Sequence, residues 1–179
     1  SATLPQGVQD LADAGLKEPF VWQEKKRRIS SAIKQNFIAA GKEDKANILC
    51  GLINRHCSGQ GIVFCRTHWR AERLLQLLQQ RGYVVALLHG KLTQRQREDA
   101  MQSFRDGMVQ LLVATEVAAR GLDIAAVSHV FNYDIPREPE AYLHRIGRTG
   151  RAGATGEAYT IFAAGEERYL AALKRTLGE

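Results

Sequence analysis

A chain of 179 residues with 45% apolar and 25% charged side chains is long enough and apolar enough to close one hydrophobic core, which excludes a disordered polymer. The basic excess, a net charge of +6 and an isoelectric point near 9.4, points to a polyanionic partner without naming it. No apolar run approaches the roughly 18 residues that a membrane-spanning helix needs, so no membrane partner is expected.

Residues 1–20 have neither the basic start nor the long apolar stretch of a signal peptide. The cysteines, Cys50, Cys57 and Cys65, are odd in number and form no C-x-x-C pair. They read as reduced, buried thiols rather than as a disulfide framework or a zinc site, and no metal site is expected. Reduced thiols suit a reducing interior.

Taken in chain order, residues 4–16 suggest a helix and Phe20-Val21-Trp22 a short strand. Lys25-Lys26-Arg27-Arg28 then reads as a basic linker, solvated or touching nucleic-acid phosphate. A boundary is placed near residue 28. An edge strand is expected over 33–38 and a helix from about 42 to 56. Residues 62–65 form an apolar run after Gly61, and 70–81 place Ala71, Leu74, Leu75 and Leu78 on one helical face. Gly82 fits the position just past that helix. Strand 84–88 follows. A helix opened by Thr93 points Ala100, Met101 and Phe104 inward and ends before Gly107. Strand 110–114, strand 127–133, a helix over 139–146 with Pro139 in its first turn, strand 156–162 and a helix over 166–177 complete the series. Strands apolar on both faces, alternating with helices, predict an α/β fold: a mainly parallel sheet flanked by helices in three layers. In such sheets ligands gather at the carboxyl ends of strands, so the loops after Cys65, Leu88, Ala114 and Tyr133 should matter most.

The densest chemistry is His144-Arg145-Ile146-Gly147-Arg148-Thr149-Gly150-Arg151. Three arginines and a histidine share eight residues with two glycines. Guanidinium gives fixed, forked donors for phosphate oxygens and can stabilise charge on a transferring γ-phosphoryl group. Residues 114–124 begin at a strand end. There Thr115 can offer a hydroxyl to phosphate, Gly121 removes bulk beside a ligand, and Asp123 can accept from a ribose. In residues 89–97, Gly90 permits close backbone approach, and Arg97 follows Gln94 by one turn. After Phe64-Cys65-Arg66-Thr67, Trp69 could stack a base, although packing within an amphipathic helix is the plainer reading. Gly90-Lys91-Leu92-Thr93 is no phosphate-binding loop, because Val85 stands where the first glycine is required.

In this order and at these separations, the stretches resemble the DEAD-box RNA helicase family. Residues 144–151 match its HRIGRTGR motif letter for letter. Residues 115–123 are similar to T-D-x-A-A-R-G-x-D, with Glu116 for the usual Asp. Residues 64–67 are similar to F-C-N-T, with Arg66 for Asn. Gln94 and Arg97 match Q-x-x-R, 133–136 fit the family's pattern, and Ser1-Ala2-Thr3 resembles the S-A-T that closes its first domain. The resemblance implies a RecA-like domain over 29–179, preceded by the tail of a first RecA-like domain and a linker over 1–28. It implies Arg148 and Arg151 as arginine fingers on an ATP γ-phosphate, Asp123 and Gly121 at the nucleotide, and His144 coupling that site to the interdomain face. It implies Thr67, Gly90, Arg97 and Thr115 along an RNA sugar-phosphate backbone.

Neither G-x-x-x-x-G-K-[ST] nor Asp-Glu-Ala-Asp occurs in the chain. The resemblance therefore implies that ATP is used with Mg2+ held mainly by the first domain, and that this chain alone is inactive. The partners implied are RNA and that first domain, with self-association through 1–28 as a further expectation. The implied activity is ATP hydrolysis coupled to RNA duplex unwinding. The alternatives are a DNA-translocating relative and a non-catalytic RNA- or partner-docking module. A cytoplasmic location is expected, with nucleolar and organellar ones left open.

Overall fold

The computed structural model describes residues 32–41, 44–119, 126–151 and 153–177. The expected helix, strand, basic linker and self-association surface of residues 1–28 lie outside these, as does the boundary at residue 28. Six strands form one sheet: β1 (Ile33–Ala39), β2 (Gly61–Cys65), β3 (Val85–Leu88), β4 (Leu111–Thr115), β5 (His129–Asn132) and β6 (Gly156–Phe162). Their order is β1-β6-β5-β2-β4-β3 and every neighbouring pair is parallel. The helices among the described residues are α1 (Lys45–His56), α2 (His68–Gln80), α3 (Gln94–Arg105), α4 (Glu116–Ala119), α5 (Pro139–Ile146) and α6 (Glu167–Leu177).

The continuous apolar strands arise because both faces are covered. Successive side chains of a strand point to opposite faces. Ile62, Phe64, Leu112 and Ala114 pack in one core with Met101 and Phe104 of α3, Tyr142 and Ile146 of α5, and Leu173 of α6. Val63, Cys65, Leu111 and Val113 pack in the other with Leu49 and Ile53 of α1 and Leu74 and Leu78 of α2. The result is the three-layer arrangement expected, parallel throughout, with β1 at an edge. All three thiols are free and buried, and burial pushes that of Cys57 up to about 11 against a lowering hydrogen bond to Gly59.

Several boundaries differ from the sequence reading for local reasons. Helix α2 begins two residues early, because the Thr67 side chain accepts the Arg70 N–H at 3.3 Å and caps it. Strand β5 is shorter than 127–133, since the Val127 N–H is drawn to the Arg148 carbonyl and that of Asp134 to Phe64. Helix α4, a single turn, was not expected. Ala100 is half-buried rather than inward. Thr93 opens α3 with a full capping box to Gln96.

Gly82 and Gly107 end α2 and α3 with positive φ, as expected. Gly150 is the more demanding position. Its φ is +65°, and a Cβ there would stand 2.5 Å from Ile33 Cγ1 at the start of β1. Gly107 has similar φ and nothing within 4 Å. In urea denaturation, Gly150→Ala is expected to cost about 3 kcal/mol, left-handed strain plus overpacking, against about 1 kcal/mol for Gly107→Ala. Equal losses would refute the close approach at Ile33.

Candidate functional site

The carboxyl ends of β2, β4 and β5 meet around one buried guanidinium. Arg145 lies on the face of α5 that carries Ala141, Tyr142 and Ile146, and it is 4% exposed. Its Nη1 donates to Asn132 Oδ1 at 3.3 Å and to the Asp134 carbonyl at 2.9 Å, and its Nη2 donates to Glu116 Oε2 at 3.3 Å. The group also lies over the Phe64 ring, 5.3 Å from its centroid. Burial pulls its pKa down and the Glu116 carboxylate opposes the fall. Beside it, Asp134 is buried, accepting the Arg66 N–H at 2.9 Å and pairing with Arg70 at 3.0 Å.

The turn that follows α5 is fixed from beneath. Thr149 is buried, and its hydroxyl lies against the carbonyls of Val127 and Ser128. Gly156 leaves it room, because a Cβ there would come within 2.0 Å of Thr149 Oγ1. Arg148 and Arg151 flank this anchor. Arg148 is half-buried and shares a shallow hollow with His144, Glu116 and Ala119, while Arg151 is exposed and its Nε donates to the Gly147 carbonyl at 2.6 Å. The turn's backbone therefore sits at the starts of β1, β5 and β6, not at the strand carboxyl ends where ligands were expected to gather. Nor do all three arginines of this stretch face outward: Arg145 belongs to the core.

The remaining site residues line up across contiguous strands. Thr67 follows β2, Thr115 ends β4 and Gly90 follows β3, and these three strands are neighbours in that order. Thr67 and Gly90 are exposed, and Gly90 has open space where a Cβ would stand. Thr115 is buried at the floor of a groove of about 450 Å3, lined also by Arg66, Glu116, Pro136 and Arg137. Arg97 is half-buried, and its Nε makes no hydrogen bond among the described residues. His89 sets the Gly90 loop: its Nδ1 accepts the Lys91 N–H at 3.2 Å, and its Nε2 faces Glu72 at 3.1 Å. Burial holds the imidazole below its ordinary pKa despite that carboxylate. Gly121 and Asp123 lie outside the described residues. Trp69 corrects the packing expectation, for its indole is 68% exposed.

The family profile described as Helicase conserved C-terminal domain matches residues 44–153. The chain is 42% identical over 177 residues to the DEAD-box ATP-dependent RNA helicase CshA of Bacillus subtilis, covering 98% of this chain and 36% of the relative. It is 41% identical over 177 residues to the ATP-dependent RNA helicase CshA of Listeria monocytogenes, covering 98% and 34%. The chain belongs to the DEAD-box family, as a C-terminal RecA-like domain. It spans about a third of the length of these curated relatives. Among solved structures it is similar to S. cerevisiae Dbp5 bound to RNA and ADP BeF3, with TM-score 0.86, 32% identity, and coverage of 99% of this chain and 48% of that one. It is also similar to E. coli DEAD-box protein SrmB bound to regulator of ribonuclease activity A, with TM-score 0.74, 38% identity, and coverage of 80% and 85%.

Two departures from the DEAD-box pattern acquire structural roles. The longer Glu116 is the carboxylate that meets Arg145. Arg66 does not present a spare positive charge, because Glu166 Oε1 holds it at 2.9 Å and the Ile135 carbonyl at 3.4 Å. The other oxygen of Glu166 takes Lys45 Nζ at 2.8 Å and the Ala163 N–H at 2.9 Å. Partners 121 and 100 residues away leave no local sequence signal for this network. Arg145 did leave one: it follows Ala141 by four residues on the apolar face of α5.

Burial alone would raise the Glu166 pKa, but the hydrogen bonds from Lys45, Ala163 and Arg66 bring it down to about 2. A depressed carboxylate adds stability above its unfolded pKa and loses it as pH falls through the folded one. The stability difference between the native chain and Glu166→Gln should thus be full above about pH 5 and fade towards pH 2. A difference independent of pH across this window, in denaturant melts, would remove Glu166 from the account.

Proposed function

We propose that this chain is the second half of an ATP-dependent RNA helicase and completes, from the far side of an interdomain cleft, an ATP site whose phosphate cradle belongs to a first RecA-like domain. The observation that carries the reading is the sorting of the arginines in residues 144–151. Arg145 is enclosed and paired, whereas Arg148 and Arg151 flank a turn that Thr149 and Gly150 fix to the strand starts. A guanidinium held on a rigid turn needs little reorganisation when a phosphate arrives, and this is the condition under which it stabilises developing charge best.

In this reading Arg148 and Arg151 donate to the γ-phosphate oxygens as the bond to the leaving diphosphate breaks. His144, sharing the hollow with Arg148 and Glu116, relays between that site and the facing domain. Asp123 and Gly121 receive the ribose. Cationic and imidazole donors fit the phosphates of the nucleotide but not its Mg2+, which falls to the first domain. Among the described residues no group of three His, Cys, Asp or Glu is placed to hold a metal.

Thr67, Gly90, Arg97 and Thr115 bind the RNA strand through its sugars and phosphates. Two hydroxyls, a bare backbone and a guanidinium suit phosphate contact rather than base reading. Closure of the domains bends that strand, and release of phosphate reopens the cleft. The RNA bound to S. cerevisiae Dbp5, a neighbour of similar fold, supports the same assignment here.

The test is reconstitution. The chain alone is expected to hydrolyse no ATP, and a mixture with a matching first domain is expected to gain RNA-stimulated hydrolysis. Arg148→Ala or Arg151→Ala should lower that activity about 1000-fold or more, within the range known for arginine fingers. Hydrolysis by the isolated chain at the rate of the mixture would mean that it holds a phosphate site of its own, and the reading would fall.

A further inference from the structure

The helicase reading makes no use of Trp69. A single exposed apolar side chain carries no meaning by itself. What distinguishes Trp69 is its company. It lies in the first turn of α2, two residues past Thr67, with its indole 68% exposed. The Lys91 Nζ sits over the ring, 5.2 Å from its centroid, and Lys91 is the residue next to Gly90. The His68 ring lies 4.7 Å from the indole and 5.8 Å from the ring of buried His89, the residue that fixes the Gly90 loop. A flat aromatic face is therefore held between the two positions assigned to the RNA backbone, with a flexible cation beside it.

We infer that Trp69 is a stacking platform for one unpaired nucleobase of the RNA strand passing over Thr67 and Gly90. The inference rests on the RNA path proposed above. An indole offers a large rigid surface that loses little freedom on contact, and every base presents a π-face to it. Lys91 moves from the ring to an adjoining phosphate as the base takes its place, exchanging a cation–π contact for an ion pair. A protein partner is the less suited occupant, since the cation over the ring, Lys91, matches a phosphate chain. A base can reach Trp69 only when it is unstacked and unpaired. The platform thus selects the separated strand over the duplex, without sequence preference.

The 179-residue chain contains two tryptophans, Trp22 and Trp69. In a Trp22→Phe background the emission of Trp69 is read alone. An oligouridylate should quench it at low ionic strength, and an abasic ribose-phosphate oligomer of the same length should not. By anisotropy of labelled oligomers, Trp69→Ala should weaken oligouridylate binding about tenfold. Trp69→Phe should weaken it far less, and neither change should alter abasic binding or the slope of affinity against salt. If both oligomers bind equally well and Trp69→Ala changes nothing, stacking is overturned while the RNA path stands, and the ring is left to a protein partner. If neither oligomer binds, the RNA path is overturned and stacking with it.

Discussion

A guanidinium enclosed in a protein must find carboxylate or carbonyl partners, because an unpaired charge in that environment destabilises the fold by several kcal/mol. Arg145 finds its partners on two separate pieces of backbone: Glu116 after β4, and Asn132 with the Asp134 carbonyl at the end of β5. A buried ion pair adds little net stability over a well-packed apolar substitute. Its effect is on geometry. The ends of β4 and β5 and the last turn of α5 are tied to one planar group, and the positions of the neighbouring residues follow from it.

Those neighbours belong to both halves of the proposed chemistry. Thr115 precedes Glu116 in the chain, and the Arg148 N–H donates to the Arg145 carbonyl at 3.1 Å. A residue assigned to RNA and one assigned to the γ-phosphate thus stand on either side of a single salt bridge. The backbone of the arginine turn is secured at the opposite end of the sheet, by Thr149 beneath Val127 and by Gly150 against Ile33. A DEAD-box C-terminal domain built this way carries rigid donors on one side and an open row of strand ends on the other. Glu166, holding Lys45 and Arg66, keeps two further cations engaged in the fold rather than available to a ligand.

The architecture was legible in the sequence because two-sided burial writes itself into continuous apolar strands. Helix ends were legible at Gly82 and Gly107 because only a residue without Cβ takes positive φ cheaply. The HRIGRTGR stretch carried the expectation of a phosphate-directed site. That its own arginines divide was signalled only by the spacing of Arg145 from Ala141, since the partners that enclose it lie 13 and 29 residues away. Thr67 was read only as a ligand contact, although it also caps α2. Trp69 was misread towards the interior on its residue type, although helical spacing sets it opposite the face of Ala71, Leu74 and Leu78. Glu166 could not be found at all, its network being wholly tertiary.

The central claim is that residues 144–151 divide into one structural arginine and two that act on a ligand. Equilibrium unfolding in denaturant of Arg145→Ala, Arg148→Ala and Arg151→Ala tests it most directly. The account predicts a loss of about 3 to 5 kcal/mol for Arg145→Ala, which empties a core position and takes the donor from Asn132, the Asp134 carbonyl and half-buried Glu116, and less than about 1 kcal/mol for each of the other two. Comparable losses in all three, or an Arg145→Ala chain as stable as the native one, would contradict it.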